Sequence, residues 1–368
     1  MKLLKLIKIA KSSVLLACIA AGCLTLTACN DTRENDSVVV TQAVLDATLA
    51  EAVDAQIVPA VDRFKHQNQA LINSANTFCA TPSETHLIEL QNQWKNLAAA
   101  WYALLPYNFG PLNDDVVFPE YIKVDSYRLN GTDYTATVRA EITKNLKGSF
   151  ALNADYFAAQ AFQKLGLLAL EVALFESYQN AQQTPAVIVE EFVQMPRKCQ
   201  VVQGLAQQLM VSANYFENGW RSDYKNTGKA YRTLFLNAQL ADGTPPITQL
   251  LSSVQEALDY LKKRNVVNNR AQLSGETWVL MAALVDEVDT LLNGTGRNQF
   301  AIFSLMTANG YSSSVAAVKT NIAGLRDAIN SRDAGVFASY LGLLDGNFKR
   351  EIPNALNVQL GLNFTDGD

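Results

Sequence analysis

The hexapeptide GLLALE, which spans residues Gly166 to Glu171, is the part of the sequence that best indicates the fold. It belongs to a strongly apolar run from Ala154 to Phe175, and this run predicts one mostly buried helix. Residues three apart lie on the same face of a helix, so Leu168 is next to Glu171. A histidine at this spacing would give Glu171 a second metal ligand beside it, whereas leucine has no ligating atom. The stretch therefore predicts a buried carboxylate that needs some other partner.

Helical periodicity extends over almost the whole chain. Apolar residues recur at steps of three and four, and strand signals are nearly absent, so we expect a core built by helix-on-helix packing. Pro59 and Pro196 mark places where a predicted helix would kink or break. The predicted helices cover residues 40–78, 82–105, 135–146, 154–175, 187–221, 247–263, 275–292, 313–330 and 334–350.

The distribution of these helices predicts an all-α fold with two bundle-like halves. Four to five helices fall in a first half at about residues 41–180, and a similar number fall in a second half at about 185–350. Residues 351–368 form a C-terminal tail in this prediction. No short sequence repeat relates the two halves.

The first 28 residues have the features of a lipoprotein signal peptide. Four lysines precede an apolar stretch, Val14 to Leu26, that is too short to span a membrane. The stretch ends in LTAC, residues 26–29, which resembles the bacterial lipobox, and Cys29 would carry lipid chains such as palmitate. Asn30 favours the outer membrane of a Gram-negative bacterium, with the protein facing the periplasm. Residues 29–40 would form a flexible tether; the alternative is an ordinary secretory signal with a chance cysteine.

The charge of the mature chain excludes one class of partner. Loss of residues 1–28 removes four lysines and leaves 26 basic against 35 acidic side chains, a net charge of −9. A nucleic-acid-binding protein needs clustered lysine and arginine to displace counterions from phosphates. We therefore expect no nucleic-acid partner.

Two cysteines, Cys79 and Cys199, remain in the mature globular part of the chain. Because the periplasm is oxidising, an even pair of cysteines there predicts a disulfide. This bridge would tie the first helix to the long helix in the middle of the chain. Two buried free thiols are the alternative, since buried cysteine is common.

Gly166, Glu171, Asp125 and Arg128 form the candidate ligand or structural site. Asp125 and Arg128 lie in an irregular stretch, residues 106–133, that contains several prolines and glycines. Glu171 has three open roles: a clasp that holds this loop to the bundle, a ligand contact in a cleft between the halves, or part of a metal site. Its candidate partners are Arg128, Lys123 and Tyr127 from the loop, or tyrosines and tryptophans on neighbouring helices.

A metal site would need other carboxylates to replace the missing histidine. Hard cations such as Ca²⁺ accept sites made entirely of oxygen atoms, so such a replacement is chemically sound. The carboxylates available in the loop are Asp114, Asp115, Glu120 and Asp125.

The two histidines of the chain give little support for catalysis. His86 and Glu89 have metal-ligand spacing, but they lie in the first helical turn after Pro82, where acidic residues suit the helix dipole. A solvated helix cap is therefore the favoured interpretation. His66 has no carboxylate three or four residues later, and no HExxH motif is present. We assign no catalytic residue and no metal ligand.

Several segments, in order along the chain, resemble the imelysin-like family, the peptidase M75 group. They are Trp101 with Phe109-Gly110-Pro111, Phe118-Pro119, residues 166–175, Arg197-Lys198-Cys199, and Leu360-Gly361-Leu362. The family has Gly-x-His-x-x-Glu where this chain carries Leu168 in place of the histidine. The resemblance implies a fold with two helical halves and an association with iron, while the missing histidine argues against peptidase activity.

These observations predict a lipid-anchored, non-enzymatic binding or accessory factor linked to the uptake of iron or another metal. One alternative is a metal-dependent peptidase or hydrolase of the M75 type. Another is a structural lipoprotein that docks a membrane or redox partner. The expected partners are the membrane, through the lipid anchor, and metal-uptake or redox proteins. No cofactor is assigned, and iron or another divalent metal is the candidate that the resemblance implies.

Overall fold

Helices account for nearly all regular structure in the described part of the chain. The computed structural model describes residues 41–178, 184–237, 240–295 and 301–360. The described residues form one compact unit. The predicted signal peptide, Cys29 and the tether at 29–40 lie outside the described residues, as do the last eight residues. Of the described helices, none is both long enough and apolar enough to cross a membrane.

The helices, in chain order, are α1 (Gln42–Ala52), α2 (Val58–Ala80), α3 (Glu84–Leu104), α4 (Tyr127–Asn130), α5 (Thr135–Lys147), α6 (Ala154–Ala158), α7 (Gly166–Phe175), α8 (Pro185–Gln194), α9 (Arg197–Arg221), α10 (Tyr231–Phe235), α11 (Pro246–Lys263), α12 (Val266–Asn269), α13 (Thr277–Asn293), α14 (Ile302–Ala308), α15 (Ser312–Ser331), α16 (Ala334–Lys349) and α17 (Glu351–Leu356). A π-helical turn, Val53–Ile57, joins α1 to α2 just before Pro59. The predicted all-α fold is confirmed.

One predicted helix is wrong in its extent. The apolar run at 154–175 is not a single helix: α6 ends at Ala158, a 3₁₀ turn follows at Phe162–Lys164, and α7 begins at Gly166. The backbone of Gly166 has φ of +74°, which reverses the chain direction before α7. The helix predicted at 187–221 is interrupted at Pro196, where the sequence predicted a kink or a break, and forms α8 and α9.

The helices pack in two groups. In the first, α2 packs on α3 and α9, and α7 packs on α3 and α9; in the second, α11 packs on α16, and α13 packs on α14 and α15. Contacts between α3 and α13 join the groups, and so does a 3₁₀ turn, Leu105–Tyr107, that packs on α11. One continuous hydrophobic core runs through both groups. The two bundle-like halves of the predicted fold are thus present, and their residue boundaries stay a prediction.

A disulfide joins the end of α2 to the start of α9. Cys79 and Cys199 are 120 residues apart in sequence, with a Cα–Cα distance of 5.7 Å. This distance lies in the middle of the range that disulfides require. Next to the bridge, Phe78 packs edge-on against Phe192 of α8 at 4.8 Å between ring centroids. The bridge therefore fastens two long helices of the first group at one end.

Candidate functional site

The start of α7 is built on a glycine that no other residue could replace without strain. Gly166 has φ of +74°, and a Cβ on it would lie 2.3 Å from the carbonyl oxygen of Val124 and 2.6 Å from that of Lys123. The next residue, Leu167, donates its N–H to the Val124 carbonyl over 3.0 Å. The end of the irregular stretch at 106–133 is therefore attached to α7 by backbone contact at Gly166.

Glu171 lies one and a half turns further along α7 and is almost fully buried, with 2% of its surface exposed. Its Oε1 accepts hydrogen bonds from the backbone N–H of Ser274 at 3.0 Å and from the Ser274 hydroxyl at 2.8 Å. Burial raises the pKa of the Glu171 carboxyl above its ordinary value, although the bonds from Ser274 and the charge of Arg270 oppose that rise. The carboxyl thus holds the segment between α12 and α13 against α7.

Arg270 and Asp125 form a second buried polar contact beside Glu171. Nη2 of Arg270 is 3.7 Å from Oδ1 of Asp125, and both side chains are at most 7% exposed. The Tyr260 hydroxyl donates to Oδ2 of Asp125 at 3.3 Å, and the Arg270 guanidinium lies 5.1 Å from the ring centre of Tyr127. Burial alone would lower the pKa of Arg270. The negative charges of Asp125 and of neighbouring groups, Glu171 included, raise it by more, so the net shift of the pKa is upward. A charged guanidinium in this position compensates two buried carboxyl groups.

The space between these groups is small. A cavity of about 10 Å³ lies among them, and its lining includes Trp94, Tyr102, Asp125, Leu167, Glu171 and Arg270. This volume suits about one water molecule. A peptide substrate does not fit in it, and Glu171 is only 2% exposed. The motif region therefore has no access for a large substrate.

The residues of this region do not fit a metal ion. Leu168, at the position of the family's histidine, is 6% exposed and belongs to the hydrophobic core. Glu171 already accepts two hydrogen bonds from Ser274, and the cation next to it is the guanidinium of Arg270. Among the described residues, no group of three or more His, Cys, Asp or Glu side chains is arranged to hold a metal.

Three of the four loop carboxylates considered as replacement ligands make other interactions, and the fourth, Asp125, lines the cavity beside Glu171 but pairs with Arg270. Asp114 accepts a hydrogen bond from the Tyr215 hydroxyl, and Asp115 accepts the backbone N–H groups of Val117 and Phe118 at 2.8 and 2.9 Å. Glu120 pairs with Lys123 at 2.7 Å. The alternative of an all-oxygen site formed with Glu171 therefore has no geometric support in the described residues.

The partners predicted for Glu171 from the loop are wrong, whereas Trp94 and Tyr102 of the neighbouring helix α3 do line the cavity beside it. Lys123 pairs with Glu120, and the Tyr127 hydroxyl donates to the carbonyl of Arg264 at 2.8 Å. Arg128 packs against rings instead, with its guanidinium carbon 5.3 Å from the ring centre of Tyr260 and 5.7 Å from that of Tyr121. Glu171 pairs with Ser274, 103 residues later in the chain, and no sequence spacing indicated that contact.

The two histidines lie as their sequence context indicated. The backbone N–H of His86 is capped by the Ser83 hydroxyl at 3.2 Å, and its Nδ1 lies 2.8 Å from the Thr81 carbonyl oxygen. His66 is in the middle of α2 and exposed. Neither histidine belongs to the cavity beside Glu171.

A much larger cleft lies near Arg128. Its volume is about 610 Å³, within the range typical of small-molecule sites. Arg128 interacts with both regions. Its guanidinium lies over the ring of Tyr260, which bonds to Asp125, and its charge acts on Glu256 in the cleft. The residues that line the cleft are Asn108, Phe109, Gly110, Asn113, Tyr224, Tyr231, Leu234, Asn237, Leu240, Ala241, Asp242, Gln249 and Glu256.

Comparison with solved structures places this arrangement among related folds. An imelysin-like protein from Psychrobacter arcticum is similar over 88% of this chain and 98% of its own, with a TM-score of 0.66 and 18% sequence identity. A protein assigned as an iron-regulated protein A precursor from Parabacteroides distasonis is similar over 84% of this chain and 96% of its own, with a TM-score of 0.55 and 13% identity. No curated protein matches the chain.

The comparison with protein families assigns the chain more directly. Identities below 25% in the solved structures establish the fold alone. The family model matches on sequence, however, and it covers residues 57–340, more than half of the chain. The chain belongs to the imelysin family, peptidase M75.

Proposed function

We propose that this protein is a lipid-anchored periplasmic member of the imelysin family that binds a ligand and does not cleave peptides. It acts as an accessory factor in the uptake of iron or another metal. The observation that carries the proposal is the state of Glu171, the only polar side chain in the GLLALE stretch. It is 2% exposed, bonded to Ser274, and next to a cavity that suits about one water molecule.

Peptide hydrolysis needs a group that activates water within reach of a scissile carbonyl. Glu171 has no such access, and Leu168 supplies no donor beside it. The cleft of about 610 Å³ has room for a small molecule, and its Glu256 is within the electrostatic reach of Arg128. We propose a binding role because Glu171 holds two parts of the fold together, while the open cleft lies away from it.

Three features support the location and the link to iron. The LTAC segment at residues 26–29 is the sequence basis for a lipid anchor at Cys29. The Cys79–Cys199 disulfide suits an oxidising compartment such as the periplasm. The name of the Parabacteroides distasonis structure connects this fold with a protein regulated by iron. Outer-membrane attachment rests on Asn30, by the sorting preference described above.

Genetic complementation in a Gram-negative host tests the proposal. In a strain that lacks this protein and grows poorly when iron is limited, the wild-type gene should restore growth. Cys29→Ala should fail to restore it, and the variant should leave the membrane fraction. Glu171→Gln should restore growth if present at the wild-type level, because glutamine keeps the shape and an oxygen acceptor for Ser274. Loss of function in a stable Glu171→Gln protein would favour an enzyme instead.

A docking role, the second candidate, is favoured by one exposed apolar segment. Val116, Val117 and Phe118 are 101%, 64% and 65% exposed, in a turn that the Asp115 carboxylate holds together. Consecutive exposed apolar residues are unusual on a monomer surface unless they contact something. In the same complementation, Phe118→Ser should restore growth if binding in the cleft is the main role, and should fail if docking through this turn is essential.

A further inference from the structure

The cleft near Arg128 contains a carboxylate that has no hydrogen-bond or ion-pair partner among the described residues. This carboxylate belongs to Glu256, a half-buried residue near the middle of α11. Among the described residues, none donates a hydrogen bond to it, and no basic side chain comes within 4.0 Å of it. Burial raises the pKa of its carboxyl, and the more distant charge of Arg128 opposes the rise only in part. A partly desolvated carboxylate without a partner destabilises the fold, because it has lost water without gaining an ion pair. Such a group is expected where a ligand provides the missing charge.

Aromatic rings form one wall of the same cleft. Tyr231 meets Tyr224 edge to face at 4.8 Å between ring centroids, and Phe109 lies 6.4 Å from Tyr231. Tyr231 packs directly on Gly110, because a Cβ there would lie 2.3 Å from its ring. This close contact fixes the orientation of the tyrosine ring. Phe109 and Tyr231 are 3% and 8% exposed and Tyr224 is half-buried, so the wall is a preformed aromatic surface of which Tyr224 is the most accessible ring.

The charge of the cleft favours one sign of ligand. Its described lining contains two acidic side chains, Asp242 and Glu256, and no lysine or arginine. Asp114, near the same wall, is already paired: Nζ of Lys225 is 3.7 Å from its Oδ2 and 5.6 Å from the ring centre of Tyr224. The two carboxylates in the lining would repel an anion and attract a cation, and Glu256 is the partly buried one of the two.

We infer that the cleft binds a small organic ammonium ion whose apolar body packs on Phe109, Tyr224 and Tyr231 while its charged nitrogen pairs with Glu256. A volume of about 610 Å³ accommodates a ligand of this size. The ligand's apolar part would be buried against the rings, and its charge would compensate Glu256, which has no ion-pair partner among the described residues. This assignment deepens the proposed binding role and rests on it.

Calorimetric titration of the detergent-solubilised full-length protein tests the inference, with phenethylammonium as the probe. We expect saturable binding of this cation and no binding of phenylacetate, which has the same ring but a negative charge. Glu256→Gln should weaken phenethylammonium binding by about tenfold or more, because it removes a charged hydrogen-bond acceptor. Binding of the neutral analogue 2-phenylethanol should be the same in the wild type and the variant.

Asp259→Asn on the same helix is the matched control. Asp259 pairs with Lys263 at 3.1 Å and does not line the cleft, so its substitution should change phenethylammonium affinity by less than about twofold.

If Glu256→Gln does not fold, Asp242→Asn serves in its place and should weaken the binding of the same cation. Absence of binding to the wild type, equal binding of phenylacetate, or an equal effect of Asp259→Asn would each overturn the assignment. None of these results alters the complementation outcome, so failure of the ligand class is distinguishable from failure of the binding role.

Discussion

Replacing Cys79 and Cys199 together with serine should lower the free energy of unfolding by about 4 to 5 kcal/mol. The disulfide joins residues 120 positions apart, so in the oxidised protein it removes a large amount of chain entropy from the unfolded state. In the folded state it fastens α2 to α9, two long helices that pack together in the first bundle. Urea unfolding at neutral pH, followed by helical circular dichroism, measures the difference.

Reductant provides the control for this prediction. Dithiothreitol should lower the unfolding midpoint of the wild type to about that of the double-serine variant, and it should leave the variant unchanged. If reductant changes neither protein, the bridge contributes nothing to stability, and the structural support for folding in an oxidising compartment is lost. A loss in both proteins would point to a different thiol-dependent process.

Gly166→Ala should lower the free energy of unfolding by about 3 kcal/mol. Part of the cost, about 1 kcal/mol, arises because alanine disfavours a φ of +74°. The rest arises because the new Cβ would lie 2.3 Å from the Val124 carbonyl oxygen, which belongs to backbone and can move only with the loop. Urea unfolding again gives the number, and the same variant should become more sensitive to proteolysis at the end of the 106–133 stretch.

Gly228→Ala separates the two parts of that cost. Gly228 has nearly the same backbone geometry, with φ of +70°, but no atom lies within 4 Å of where its Cβ would be. The Gly228 variant should therefore lose only about 1 kcal/mol. Equal losses in the two variants would show that α7 and the loop can separate at little cost, and that Gly166 does not attach one to the other.

The helices that the sequence predicted well share one property, a clear apolar stripe. α3, α11, α13, α15 and α16 begin and end within about two residues of their predicted limits, since each buries one face and exposes the other. The run at 154–175 lacks such a stripe. α7 is apolar on all sides, and hydrophobicity alone could not show that the chain turns at Gly166.

The site was predictable only where its residues are close in sequence. Leu168 and Glu171 share a helix, so their burial followed from the apolar run around them. The partner of Glu171 is Ser274, in a segment between two helices of the second half, and this contact is set by how the halves pack. Glu256 gave no signal either, because a glutamate within a helix ordinarily faces solvent.

Metal content, measured by mass spectrometry on protein incubated with Fe²⁺ or Zn²⁺ and then desalted, tests the structural role of Glu171 most directly. We expect no stoichiometric metal on the wild type and no difference between the wild type and Glu171→Gln. This result is expected because Leu168 offers no donor and Arg270 already supplies the positive charge beside the carboxyl. One tightly held metal ion per wild-type chain, lost in Glu171→Gln, would contradict the structural role and restore the case for a peptidase.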